Sequence, residues 1–315
     1  MHDKSTVKLK ECPICGSVAL RALPAPGQWI GREVFGDLGS QLGLSRCRRC
    51  GVPFVNPRPC DELLKTFYAG ESYVCHNADS SSSGGAGADV LLDRIEQHLP
   101  MGAPHTLLDY GCGGGGFLAR AAARGWIVQG FEPGRRGLQV CRQRGLAVTD
   151  SLDELPSHSY GLITLNAVFE HLPDHSAALG VIRRLLAPEG RAFIAVPNVR
   201  SLRARLSFPI LSRHLQFDER YRAFPIHLTY FDASTLTRLL DRENYLIEER
   251  FTVGMGIDQL ILRPSSHSRS LKTNLPVRAP KRWRTIRAFG KAAILKTGLG
   301  DTLCVLCRPM PARKS

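Results

Sequence analysis

The sequence contains no run of eighteen apolar residues, so no segment reads as a membrane-spanning helix. Residues 1–20 lack the basic-then-apolar layout of a signal peptide, and the expectation is a cytoplasmic protein, at most peripheral to a membrane. Cysteine is too sparse and too unevenly spaced for a disulfide scaffold, with ten in 315 residues. A chain of 34.7 kDa can bury its own core without crosslinks. Repeats of solenoid length are also missing. The sharpest shortage is of acid near the C-terminus. From Leu260 to Ser315 there are 13 Lys or Arg but a single acid, Asp301. The other 259 residues carry 29 basic and 27 acidic side chains, so the net charge of +14 is a local property of one segment.

What is present divides the chain into five parts. Residues 1–75 are rich in Cys, Gly, Pro and Arg and end in a short helix, Asp61 to Tyr68. Residues 76–88 include four consecutive serines and read as a flexible linker. Residues 89–258 alternate strand-length apolar runs with helical patterns. Strands are predicted at 106–109, 127–131, 147–149, 162–165, 191–196 and 245–251, and helices at 117–124, 135–144, 175–186 and 234–242. Residues 259–299 form a basic insertion, and 300–315 a last strand, 302–307, with a basic tail. Such alternation implies an α/β fold with a doubly wound parallel sheet.

Asp109-Tyr110-Gly111-Cys112-Gly113-Gly114-Gly115-Gly116 follows a predicted strand and opens a helix. Glycines there let the backbone approach a ligand, and a helix start offers free N–H groups. Glu132 ends the next strand, where a carboxylate can accept hydrogen bonds from ribose hydroxyls. Dinucleotide dehydrogenases and S-adenosylmethionine (SAM) methyltransferases both use this arrangement.

The later motifs resemble class I SAM-dependent methyltransferases, in the right order. Asp109, Gly111, Gly113 and Gly115 fit D-x-G-x-G-x-G, and Phe131-Glu132-Pro133 looks like the second motif. Asn166 through Asp174, which includes Glu170-His171-Leu172-Pro173, resembles the fourth-strand motif. Leu186-Ala187-Pro188-Glu189-Gly190 resembles the turn before the fifth strand, with Glu189 where the family usually has glycine. His227-Leu228-Thr229-Tyr230-Phe231 resembles the segment before the penultimate helix. The resemblance implies a seven-stranded Rossmann-like sheet and SAM as cofactor. It places Gly111, Gly113 and Gly115 against the methionine part and ribose, and Asp109 on the methionine amino group. Glu132 would then take the ribose hydroxyls, Asp150 would border the adenine, and Asn166 would lie beneath the sulfonium. Methyl transfer is an in-line displacement governed by alignment, and an acidic acceptor also needs a base. His171 and His227 are the candidates for that base, against the alternative that they pack structurally. Glu170 is either a structural hydrogen-bond acceptor or a catalytic group.

Cys12-Pro13-Ile14-Cys15-Gly16 and Cys47-Arg48-Arg49-Cys50-Gly51 are two knuckle-like turns. Four sulfurs from two such pairs make the tetrahedron that structural zinc prefers, so residues 1–75 are expected to hold Zn2+ in a small ribbon-like module. A hairpin excursion through Gly27–Gly43 absorbs the 31 intervening residues. A zinc module ahead of such a domain resembles bacterial methyltransferases of sugars and small metabolites. Cys304 and Cys307 lie three apart in a strand pattern and are ordinary core cysteines, as is Cys112.

Arg200, Arg203, Arg205, Arg213, Arg220 and Arg222 mix with Phe208, Phe217, Tyr221 and Phe224 in a stretch suited either to gripping an anionic group or to facing solvent. Residues 281–297 form an amphipathic pattern with Trp283, Ile286 and Phe289 opposite Arg284, Arg287 and Lys291. That pattern fits contact with an anionic membrane or packing on its own domain. The combined expectation is methyl transfer to a small metabolite, sugar or lipid-linked saccharide, in surface-polysaccharide or secondary-metabolite biosynthesis. The rivals are an RNA or tRNA methyltransferase, for which no RNA-binding module is visible, and a non-catalytic SAM-binding scaffold.

Overall fold

Strand side chains of both parities are apolar, and this decides the architecture. Leu107, Leu162, Phe193 and Leu306 belong to one buried cluster, whereas their neighbours Leu108, Ile163, Ile194 and Val305 belong to another. Successive side chains on a strand point to opposite faces, so this sheet must be covered on both sides. The computed structural model describes residues 5–24, 35–70, 86–205, 223–254 and 297–311.

The N-terminal part is built from short pieces: β1 (Thr6–Val7), β2 (Leu20–Leu23), β3 (Leu44–Cys47), β4 (Pro53–Val55) and β5 (Arg58–Pro59), then α1 (Asp61–Ala69). Next come α2 (Ala86–Glu96), β6 (Thr106–Tyr110), α3 (Gly116–Ala123), β7 (Ile127–Phe131), α4 (Arg135–Gln143) and β8 (Val148–Thr149). The chain continues through β9 (Tyr160–Asn166), α5 (His175–Leu185), β10 (Leu186–Pro197), α6 (Ala233–Arg242), β11 (Tyr245–Val253) and β12 (Thr302–Pro309). The seven-stranded sheet runs β11-β12-β10-β9-β6-β7-β8. Its strands β6 to β10 pair in parallel, and β12 lies antiparallel between β10 and β11. This is the expected doubly wound, Rossmann-like α/β sheet.

On one face α5 buries Leu179, Ile182 and Leu185 and α6 buries Leu236, Leu239 and Leu240. Each such side chain contributes about 1.5–3 kcal/mol. On the other face α2 buries Leu92 and Ile95 against Leu118 and Ala121 of α3. Capping bounds two of these helices. The Asp174 carboxylate accepts from Ala177 N, and Asp232 forms a reciprocal box with Thr235. Cys304 and Cys307 fall in the cores on opposite faces of the sheet, as their spacing requires.

Two local features differ from the sequence expectation. Helix α2 begins at Ala86, inside the span read as linker, because tertiary contacts override its weak periodicity. Arg120 pairs with Asp89, Arg124 reaches Asp93 and Glu96 at 2.5 Å, and Trp126 Nε1 donates to Glu96 Oε1 at 2.9 Å. The turn expected at Leu186–Gly190 is a register break within β10, between Leu186 and Arg191. Residues 76–85 of the linker lie outside the described residues. So do Cys75, Phe208, Arg213, Phe217, Arg220, Tyr221, Arg222 and the amphipathic pattern at 281–296.

The N-terminal strands do not stand apart from the sheet. Cys12, Ile14, Cys47, Val52 and Phe54 belong to the same buried cluster as Leu239 and Tyr245. Arg242 at the end of α6 donates to the Ile14 carbonyl at 2.7 Å. Strand β4 also meets residues 228–230: Val55 N donates to Leu228 O at 2.9 Å and Tyr230 N to Pro53 O at 3.0 Å. These bonds tie the module to the segment that carries His227.

Candidate functional site

The glycine loop turns sharply between β6 and α3. Gly111, Gly113 and Gly115 have φ of +78°, +56° and +74°, a region costly for side-chain-bearing residues. Space forbids a side chain as well. A Cβ on Gly111 would come within 2.6 Å of Val168 Cγ2, and one on Gly115 within 2.5 Å of Leu146 Cδ1. The loop therefore presents bare backbone and packs directly on the segment leading to Glu170.

Three side chains converge beneath it. Asp109 is the penultimate residue of β6 and is buried, and its Oδ1 accepts from Thr164 Oγ1 at 2.6 Å and from Asn166 Nδ2 at 3.4 Å. Burial pushes this carboxyl up to about 6, against the two hydrogen bonds and with some help from the charge of Glu132. Asn166 Oδ1 is buried with no hydrogen-bond partner among the described residues. Glu132 accepts from Gly113 N at 2.7 Å and from Gly134 N at 2.8 Å, so it holds the glycine loop in shape. Each carboxylate oxygen has a second lone pair to offer a ligand. Desolvation raises the Glu132 carboxyl, opposed by those two backbone donors. Asp150 lies just past β8 and lines an open cavity of about 490 Å³ with Arg135 and Leu138.

A second cluster forms where the segment after β9 meets the one before α6. Leu228 N and Thr229 N both donate to the Glu170 carbonyl, at 2.9 and 3.1 Å, which brings His227 beside Glu170. The rings of His171 and His227 meet edge to face, 4.7 Å between centroids. His171 Nδ1 lies 3.0 Å from the Tyr68 hydroxyl and 3.1 Å from Ile226 O. Burial lowers the imidazole of His171 to about 4, so it is neutral at pH 7, while burial raises the Glu170 carboxyl to about 8. The two candidate bases named from sequence are therefore neighbours. Tyr68, on α1, and Thr164 are site residues that the motif reading missed. Thr164 shares a strand face with Asn166 two residues on, which is a signal; Tyr68 has no such signal.

The four cysteines converge as their spacing requires. Cys12, Cys15, Cys47 and Cys50 place their sulfurs within 4.8 Å of one another, with 3.6 Å between Cys12 and Cys50 and between Cys15 and Cys47. Zinc–sulfur bonds of about 2.3 Å give tetrahedral edges of about 3.8 Å, so this donor set fits the ion. None of the four is in a disulfide.

The model of the family described as "Methyltransferase domain" matches residues 87–249, which span β6 to β10, the glycine loop and the Glu170 cluster. The chain belongs to that family. The chain is 26% identical over 181 residues to the ubiquinone biosynthesis O-methyltransferase of Vibrio atlanticus (strain LGP32), covering 54% of this chain and 73% of that one. It is 25% identical over 251 residues to the C-methyltransferase NovU of Streptomyces niveus, covering 74% of this chain and 55% of NovU. The match to the ubiquinone enzyme of Pseudomonas paraeruginosa spans only 46% of that protein. Among solved structures it is similar to a SAM-dependent methyltransferase from Archaeoglobus fulgidus, with 17% identity, a TM-score of 0.45, and coverage of 70% of this chain and 93% of that one.

Between the cysteine module and the methyltransferase domain lies a cavity of about 220 Å³ lined by Arg46, Gly51, Pro53, Val199, Arg200, Arg205 and Asp232. Arg200 pairs with Asp232 at 2.8 Å, which leaves the lining with an excess of positive charge. Among the described residues no helix is long and apolar enough to cross a membrane.

Proposed function

We propose that the protein transfers a methyl group from SAM to a small, anionic metabolite, a sugar or a lipid-linked saccharide among the acceptors that fit. The observation that carries this reading is the convergence of Asp109, Asn166 and the bare glycine backbone one packing layer from the Glu170–His171–His227 cluster. SAM supplies an electrophilic methyl on a sulfonium. Gly111, Gly113 and Gly115 give it room, Asp109 receives its ammonium, Glu132 takes ribose hydroxyls, and Asp150 borders the base. Asn166 Oδ1, buried with no hydrogen-bond partner among the described residues, would lie beneath the sulfonium. The acceptor loses its proton to the histidine pair. His171 is unprotonated at physiological pH, so a ring nitrogen can receive the proton, although burial makes it a weak base.

The names of the relatives, an O-methyltransferase and a C-methyltransferase acting in small-molecule pathways, support a small acceptor. The arginines around the 220 Å³ cavity support an anionic one. We assign Zn2+ to Cys12, Cys15, Cys47 and Cys50 as a structural ion: four thiolates close its coordination and leave no position for chemistry. Calorimetry with SAM is the direct test. Binding in the micromolar range that weakens in Asp109→Ala is expected, and no heat at millimolar SAM would sink the reading.

A further inference from the structure

Glu170 is a buried carboxyl: its side chain is 2% exposed, and neither oxygen has a hydrogen-bond partner among the described residues. Two imidazole nitrogens face it, His171 Nε2 and His227 Nε2, each 3.9 Å from Glu170 Oε1 and so beyond hydrogen-bond reach. The far side of the His171 ring favours one tautomer. Ile226 O, 3.1 Å from Nδ1, can only accept, and the Tyr68 hydroxyl, 3.0 Å from the same nitrogen, can accept as well as donate, so an Nδ1 proton suits both and turns the Nε2 lone pair toward Glu170. A backbone carbonyl holding the outer nitrogen is how ligating histidines are oriented. An acid oxygen and ring nitrogens turned on one another without a shared hydrogen bond leave a site that calls for a cation. The three ligand atoms all lie within 4.8 Å of one another.

We propose that Glu170, His171 and His227 bind a divalent transition-metal ion, separate from the ion of the cysteine module. Two imidazoles and one carboxylate form a donor set suited to zinc and its first-row neighbours. Bonds of about 2.0–2.1 Å need tetrahedral edges of about 3.4 Å, so the two gaps close by about half an ångström on binding. Three protein ligands leave a position open, as catalytic sites do and structural sites do not. Both imidazoles keep 14% exposure, so that position is reachable by a small molecule. The role of the ion rests on the methyltransferase reading: it holds an acceptor oxygen beside the glycine loop, against which Val168 packs. With the ion bound, His171 and His227 are its ligands and no longer the base, so the acceptor's proton leaves to solvent instead of passing to the histidine pair.

The test is metal content of the full chain after equilibration with zinc and desalting. Two zinc ions per chain are expected in the wild type, and one in Glu170→Gln and in His227→Ala. One ion in the wild type, or two in both variants, overturns the site. Zinc-edge X-ray absorption on the wild type needs no variant to fold: mixed sulfur and nitrogen scattering is expected, and sulfur alone overturns the proposal. SAM calorimetry on the same samples keeps the two readings apart. One zinc with normal SAM binding removes the second metal and leaves the methyltransferase, whereas two zinc ions with no SAM binding do the reverse.

Discussion

The two donor clusters of this molecule are put together in opposite ways. The cysteine cluster draws its ligands from two tight turns, and its sulfurs already stand 3.6 Å apart, close to the edge of a zinc–thiolate tetrahedron. Its frame is local, with Ile14 N directed at Cys12 Sγ and Cys50 N at Cys47 Sγ. The Glu170–His171–His227 cluster joins segments 56 residues apart, and its atoms stand at 3.9 Å. Its frame is tertiary: β4 holds residues 228–230, and these hold the Glu170 carbonyl. A cluster made by turns can organise the fold around itself. One made by packing depends on the fold and is free to serve chemistry.

The largest effect that would break this contrast is on stability. With the proposed zinc bound, Cys47→Ser removes one thiolate from an ion whose binding free energy is folding free energy. Because Cys47 shares a buried cluster with Phe54 and Leu239, the damage spreads into the domain. A loss of about 4 kcal/mol lowers Tm by about 10 °C for a domain of this size. Glu170→Gln removes an acid with no hydrogen-bond partner among the described residues and at most an open, three-ligand ion, and its Tm is expected within about 3 °C of the wild type. Thermal unfolding of both variants compares the clusters directly, and a larger shift in Glu170→Gln would reverse their roles.

The next effect concerns the cofactor side. Asp109→Ala deletes a charge-assisted contact worth about 1.5–3 kcal/mol, which predicts a 10- to 100-fold weaker SAM affinity by calorimetry. The same carboxyl predicts a pH dependence. Burial holds it at about 6, so below that pH it is protonated and cannot receive an ammonium. Affinity therefore rises with pH, by about tenfold between pH 5 and 7, and levels off above 7. The fold responds with the opposite sign. An unfolded aspartate releases its proton near 3.9, before the folded one, so ionising Asp109 costs stability between about pH 4 and 6. Asp109→Asn should flatten both profiles.

The contrast between the clusters also explains what the sequence made legible. Strands at 106–109, 127–131 and 191–196 were readable because apolar runs of strand length alternate with helices, and the glycine loop because only glycine tolerates its φ and its neighbours. The C-x-x-C pairs were readable because a turn writes its ligands at short spacing. His171 and His227 could each be named, but not their meeting at Glu170, since no local pattern encodes a contact across 56 residues. Helix α2 escaped notice for a related reason: the ion pairs of Asp89, Asp93 and Glu96 with Arg120 and Arg124 that anchor it are tertiary. The Leu186–Gly190 segment reads from sequence as a turn before the fifth strand, whereas it is a register break inside β10.

Tyr68 gives the smallest effect and the finest test of the comparison, because it connects the two regions. It lies on α1, which leaves the cysteine module, yet its hydroxyl is 3.0 Å from His171 Nδ1. It acts on His171 through the ring, so it is a positioning residue. Tyr68→Phe removes one hydrogen bond worth about 1 kcal/mol while Ile226 O continues to hold the same nitrogen. A fall in kcat of about fivefold is expected, with SAM affinity unchanged, because the ring contacts of α1 and the glycine loop both survive. Cys47→Ser, by contrast, should lower kcat by loosening β4 and α1 together, and Tyr68→Phe placed on top of it should then cost less than it does alone. Fully additive losses would mean that the module does not steer His171 through this helix, and that its influence on the site runs through β4 and residues 228–230.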